Sequence, residues 1–82
     1  MIHIRYFGEL REQLQIDQEH LEWTGESTDA LLVFLRGRGD VWAHALAPER
    51  IFKIALNQTL LHQPALIPDG AQVGFLPPVT GG

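Results

Sequence analysis

The residues of this chain best suited to chemistry are its closing ones, Phe75-Leu76-Pro77-Pro78-Val79-Thr80-Gly81-Gly82. Gly81 and Gly82 carry no Cβ, so a carboxylate at Gly82 stands on the least hindered backbone a polypeptide offers. An α-carboxyl with an ordinary pKa of about 3.5 is ionised at neutral pH and can attack a phosphate. Pro77 and Pro78 lack backbone donors and favour extended geometry, which stops strand pairing and holds the following residues straight. Six residues, Pro77 to Gly82, reach roughly 20 Å when extended. That length carries the terminus from a domain body into a slot on another protein. Two glycines close a chain by chance in roughly 0.5% of sequences, and chain ends fray, so the pair alone says little. An apolar strand, a proline pair and a stop at Gly-Gly in succession say more. Gly82 is read as the chemical group, and Phe75, Leu76, Pro77, Pro78, Val79, Thr80 and Gly81 as the segment a partner grips. Within that segment Phe75 is expected to face the core, while Leu76 and Val79 lead away from the sheet.

Other chemistry is poorly supported. His3, His20, His44 and His62 are spaced at neither i, i+3 nor i, i+4, and the chain has no cysteine to join them, so no metal site is expected. His3 and His20 can meet across a hairpin, where solvated strand histidines are common. Ser27 has a structural task at a helix start and lacks the glycines of a nucleophile elbow, which disfavours a hydrolase. Without cysteine, sulfur or acyl chemistry cannot run through a thiol of this chain.

Eighty-two residues, 45% hydrophobic and 20% charged, suit one globular domain with a modest core. A formal charge of -4 without a Lys/Arg cluster disfavours a nucleic-acid binder that works through rows of phosphate contacts. No apolar run approaches a membrane span and no signal-peptide pattern opens the chain, so the expected location is the cytoplasm.

The elements that must position the closing segment follow from periodicity. Ile2, Ile4 and Tyr6 alternate on one strand face, and Leu10 and Leu14 lie one helical turn apart. Leu21 and Trp23 alternate with His20 and Glu22, predicting a second strand over 20–23. Ser27 or Thr28 caps a main helix that presents Leu31, Leu32, Phe34 and Leu35 to the core and stops at Gly37 or Gly39. Asp40 is expected to cap a shorter helix carrying Val41, Trp42, Ala45 and Leu46, closed by Pro48. Ile51 to Leu56, apolar apart from Lys53, reads as a largely buried central strand. Asn57-Gln58 turns the chain into Thr59-Leu60-Leu61, and Asp69-Gly70 turns it into a final strand, Ala71 to Leu76. The order β-β-α-(α)-β-β-β implies an α+β roll, with about five strands in a mixed sheet and one main helix packed across it. The last strand is expected beside the first, in parallel. Residues 1–76 would form the domain and 77–82 an extended flexible tail.

Three stretches carry a resemblance. Tyr6-Phe7-Gly8-Glu9-Leu10-Arg11-Glu12 resembles the aromatic-aromatic-small-x-Leu-Arg-Glu opening of the molybdopterin synthase small-subunit family, and Leu56-Asn57-Gln58-Thr59-Leu60 resembles its central turn. The stretch from Asp69-Gly70 to Val79-Thr80-Gly81-Gly82 is similar to the family's ending almost position for position. The departure is Leu76, where the family often has a second aromatic. The resemblance implies a ubiquitin-like β-grasp fold and a sulfur carrier for molybdenum cofactor synthesis. It implies that an adenylating, ubiquitin-activating-like enzyme uses ATP on Gly82, and that a sulfur donor protein then converts the adenylate to a thiocarboxylate. The large subunit of molybdopterin synthase would receive the tail, in a heterotetramer, and sulfur would pass there to cyclic pyranopterin monophosphate. No cofactor is bound permanently, and catalysis is expected to reside in the partners. The alternatives are a sulfur carrier of the thiamine pathway, and a ubiquitin-like interaction module whose tail is never activated.

Overall fold

The computed structural model describes residues 1–23 and 26–77. Alternation at the N-terminus builds β1 (Ile2–Tyr6), with Ile2, Ile4 and Tyr6 buried and Arg5 exposed. Gly8 then turns the chain into α1 (Gly8–Leu14), which buries Leu10 and Leu14. Strand β2 (Gln18–Leu21) returns antiparallel to β1, pairing Ile2 with Leu21 and Arg5 with Gln18. The main helix α2 (Thr28–Arg36) starts at Ser27, whose Oγ accepts the Ala30 amide at 3.2 Å, and buries Thr28, Leu31, Leu32 and Leu35. Helix α3 (Asp40–Ala45) follows. The chain then forms β3 (Lys53–Leu56), β4 (Thr59–Leu60) and β5 (Gln72–Leu76).

The five strands make one mixed sheet in the order β2-β1-β5-β3-β4. The last strand therefore lies at the centre, parallel to β1 and antiparallel to β3. The three helices contribute Leu10, Leu14, Leu31, Leu32, Leu35 and Ala45 to a single core against Ile2, Ile4, Tyr6, Val73 and Phe75. One sheet face is covered and the other is open. This is an α+β roll, as the strand order predicts, and a β-grasp fold, as the resemblance implies.

Asn57 and Gln58 both have positive φ, 49° and 71°, the backbone demanded by the tightest hairpins. The Asn57 side chain also accepts the Gln72 amide at 2.9 Å, so this turn fastens the β3–β4 hairpin to the central strand.

Four expectations need correction. The second strand lies over Gln18–Leu21 and not 20–23; Trp23 falls beyond it, partly buried, and meets Phe34 edge-on at 5.7 Å. Phe34 is not core but 47% exposed, because α2 turns Leu31 and Leu35 fully inward and leaves Phe34 on its flank under the Arg38 guanidinium. Gly39, not Asp40, is the cap of α3, and Val41 on that helix is exposed. The strand read over Ile51–Leu56 begins only at Lys53, with Ile51 74% exposed, and lies next to the sheet edge.

A polar network locks the covered face. The Tyr6 hydroxyl donates to Glu19 Oε2 at 2.7 Å, and Arg38 grips the same carboxylate with two nitrogens at 2.7 and 2.8 Å. Arg38 also lies 4.6 Å from the centroid of the Trp42 ring. Burial, the bond to Glu19 and its charge hold the Tyr6 phenol far above its ordinary range, so it remains a neutral donor. Burial pushes the Glu19 carboxyl upward, but hydrogen bonds from Arg38 and Tyr6 and the Arg38 charge outweigh it and leave the carboxyl below 4.5. The stability this group contributes is therefore complete above about pH 4.5 and is lost as pH falls through its folded-state value. Glu19→Gln is expected to destabilise by about 2 kcal/mol at pH 7, since it weakens three charge-assisted bonds, one from Tyr6 and two from Arg38. Urea titrations from pH 7 to pH 3 should show the gap to wild type closing below about pH 4.5; a constant gap would contradict the assignment.

Candidate functional site

The site is built where β5 ends. The Phe7 amide donates to the Phe75 carbonyl at 3.1 Å, carrying the parallel ladder one residue beyond β1. Phe75 is fully buried, stacked on Tyr6 at 5.7 Å and edge-on to Phe52 at 6.1 Å. Its side chain is thus a core anchor for the outgoing segment and does not belong to a contact surface, which corrects its inclusion among the gripped residues. Leu76, one position on, faces the opposite way and is half-buried on the open sheet face.

Pro77 leaves the sheet over Gly8. A Cβ built on Gly8 would stand 2.7 Å from Pro77 Cγ, and Gly8 has φ +56°. Both the backbone conformation and the close approach require glycine there. Gly8→Ala is accordingly expected to cost about 1–3 kcal/mol and to displace Pro77. Urea unfolding should show that combining it with Pro77→Gly recovers only the part due to the clash. Pro78, Val79, Thr80, Gly81 and Gly82 lie outside the described residues.

Beside this exit the open face carries an apolar groove of about 340 Å³. Its floor is Gly74, where a Cβ would meet Phe7, Leu76 and Ala55 at 3.4, 3.7 and 3.8 Å. Phe7 and Leu60, 36% and 51% exposed, form its walls with Leu76, and Arg5 lies over the Phe7 ring at 5.3 Å. Sequence reasoning did not assign Phe7, Leu60 or Arg5 to a site. A signal was present for Phe7, an aromatic opposite in phase to Ile4 and Tyr6.

The remaining chemical candidates sit elsewhere. His3 and His20 are direct partners across β1 and β2, with rings stacked at 4.5 Å and His3 Nε2 within 2.6 Å of Gln18 Oε1. Among the described residues no three His, Asp or Glu side chains gather as a metal ion would need. Ser27 is engaged as the cap of α2. No helix among the described residues is long and apolar enough to cross a membrane.

A mixed five-stranded sheet with its last strand at the centre and helices on one face defines a β-grasp domain. The chain belongs to the ThiS family, whose model matches residues 4–82. It is 34% identical over 82 residues to the molybdopterin synthase sulfur carrier subunit of Haemophilus influenzae (strain ATCC 51907 / DSM 11121 / KW20 / Rd), with all of both chains covered. It is equally 34% identical, over the full length of both, to the molybdopterin synthase sulfur carrier subunit of Escherichia coli (strain K12).

Proposed function

We propose that this chain carries sulfur for molybdenum cofactor synthesis as the small subunit of a molybdopterin synthase. The observation that carries the reading is the end-to-end similarity to two sulfur carrier subunits of that enzyme. The site described above supports it, because β5 anchors Phe75 and releases Pro77 beside an exposed apolar groove.

In this reading a carboxylate oxygen of Gly82 attacks the α-phosphorus of ATP in an activating enzyme, and pyrophosphate leaves. The resulting acyl adenylate is a far better electrophile than a carboxylate. Sulfide-level sulfur (HS⁻) released by a donor protein attacks the acyl carbon, a C–S bond replaces the C–O bond to AMP, AMP leaves, and loss of the S–H proton leaves a thiocarboxylate. Glycines at 81 and 82 let both enzymes approach that carbon without a side chain in the way. The loaded tail then enters the large subunit, where its sulfur passes to a cyclic pyranopterin monophosphate. The domain itself holds position and supplies no catalytic acid or base, and the cytoplasm is the compartment we infer. A proline pair at 77 and 78 lowers the conformational entropy lost when the tail is threaded.

Incubation with ATP and the activating enzyme of the pathway should release pyrophosphate. Protein taken from cells should contain a fraction heavier by about 16 Da, sulfur having replaced oxygen. An interaction module would give neither result. Association with the large subunit separates this role from that of a thiamine-pathway carrier. Leu76→Ala should weaken that association about tenfold without unfolding the domain, as titration calorimetry can measure. An unchanged dissociation constant would remove Leu76 from the interface.

A further inference from the structure

The open face of the sheet differs in charge from the rest of the molecule. The chain holds 10 acidic residues against 6 Lys and Arg, yet Glu19 is the one acidic residue in any described strand. Glu19 faces the covered side, where Tyr6 and Arg38 hold it. The charged residues at outward strand positions are Arg5 and Lys53, both exposed. Neither has an ion-pair partner among the described residues. Arg5 lines the groove, whereas Lys53 stands outside its lining, next to the Leu76 wall. Arg5 lies in the same cross-strand row as Gly74 and Ala55, and Lys53 is paired with Leu76 at the exit of β5. Two strand spacings and two residues of rise separate their Cα atoms, roughly 12 Å.

We propose that this face docks a protein surface on which an apolar side chain is flanked by carboxylates, and that Arg5 and Lys53 select the partner by charge. The proposal rests on the carrier reading and adds to it the chemistry of the large-subunit surface that grips the sheet. The groove between Phe7, Leu60 and Leu76 takes the apolar side chain, which supplies affinity by leaving water. The two cations steer an encounter that the chain's overall negative charge would otherwise direct at random or repel from an acidic partner. Two cations are too few for a phosphate backbone, whose binding needs a longer row of contacts.

The test uses the full chain and purified molybdopterin synthase large subunit, with association and dissociation rates measured at about 50 and about 300 mM NaCl, where screening differs strongly. Arg5→Glu combined with Lys53→Glu is expected to raise Kd at least ~30-fold at low salt, chiefly through a slower association rate. It should also abolish or reverse the salt dependence. Exchanging the cations, Arg5→Lys with Lys53→Arg, should keep Kd within ~3-fold of wild type. If thermal melting shows that charge reversal impairs folding, Arg5→Gln with Lys53→Gln serves instead, with an expected ~5-fold loss. A chain lacking 77–82 should bind more weakly but keep the wild-type salt dependence. The proposal is overturned if wild type binds the large subunit and the charge variants match it in Kd and salt slope. Loss of all salt dependence on removing the tail would overturn it as well, as would preference for duplex DNA over the large subunit. Failure of the wild-type chain to bind the large subunit at all would overturn the carrier reading together with it.

Discussion

An alanine appended after Gly82 is expected to abolish sulfur loading, with pyrophosphate release falling at least ~100-fold, while the domain melts as before. The magnitude follows from transition-state geometry. In the proposed reaction the attacking oxygen belongs to a carboxylate, and an extension turns the Gly82 carbonyl into an amide and moves the nearest carboxylate about 3.5 Å further along the chain. Displacements smaller than that cost two orders of magnitude when reacting atoms must lie ~3 Å apart. The added methyl also thickens a backbone that otherwise has no side chain. Deleting Gly82 shortens the reach by the same distance and should be equally inactive. Because neither change touches a core residue, intact-mass analysis and thermal melting on one sample can separate loading from folding. Retained loading in either variant would contradict the assignment of Gly82.

Phe75→Ala should produce the largest loss of stability, about 3–5 kcal/mol, because the ring is wholly buried between Tyr6 and Phe52 on the central strand. For a domain of this size that is a large share of a total near 4–12 kcal/mol, equivalent to a fall in melting temperature of roughly 17–29 °C. Phe75→Leu keeps most of the volume and should remain folded at 25 °C. Its affinity for a partner, measured where it is folded, should match wild type. A folded Phe75→Leu protein that bound tens of fold more weakly would return Phe75 to the interface.

Much of the scaffold was legible locally. Alternation of Ile2, Ile4 and Tyr6, a cap at Ser27 or Thr28 (the structure uses Ser27) and the turn at Asn57-Gln58 all depend on neighbours within a few positions, and each is found where expected. The approach of His3 to His20 was also readable, as two outward residues on adjoining strands. Phe34 misled because its spacing from Leu31 fits a helical face, and spacing does not say how wide the buried stripe is. Ile51 misled because an apolar run sets no strand boundary by itself.

The site divides in the same way. A proline pair and closing glycines are properties of the backbone itself, so the capacity of this chain to offer an unhindered carboxylate at Gly82 can be argued from residue types alone. Which side chains surround the exit cannot. Phe7, Gly74, Ala55 and Leu60 come from four strands or strand ends and meet only through sheet order and register. Glu19 and Arg38, 19 residues apart, are joined by the same long-range geometry. Local composition thus determined the proline and glycine character of residues 77–82, whereas tertiary pairing decided the surface beside Pro77, where β5 ends. A chain's chemistry is carried by its residues one at a time; a surface exists only once distant residues are brought side by side.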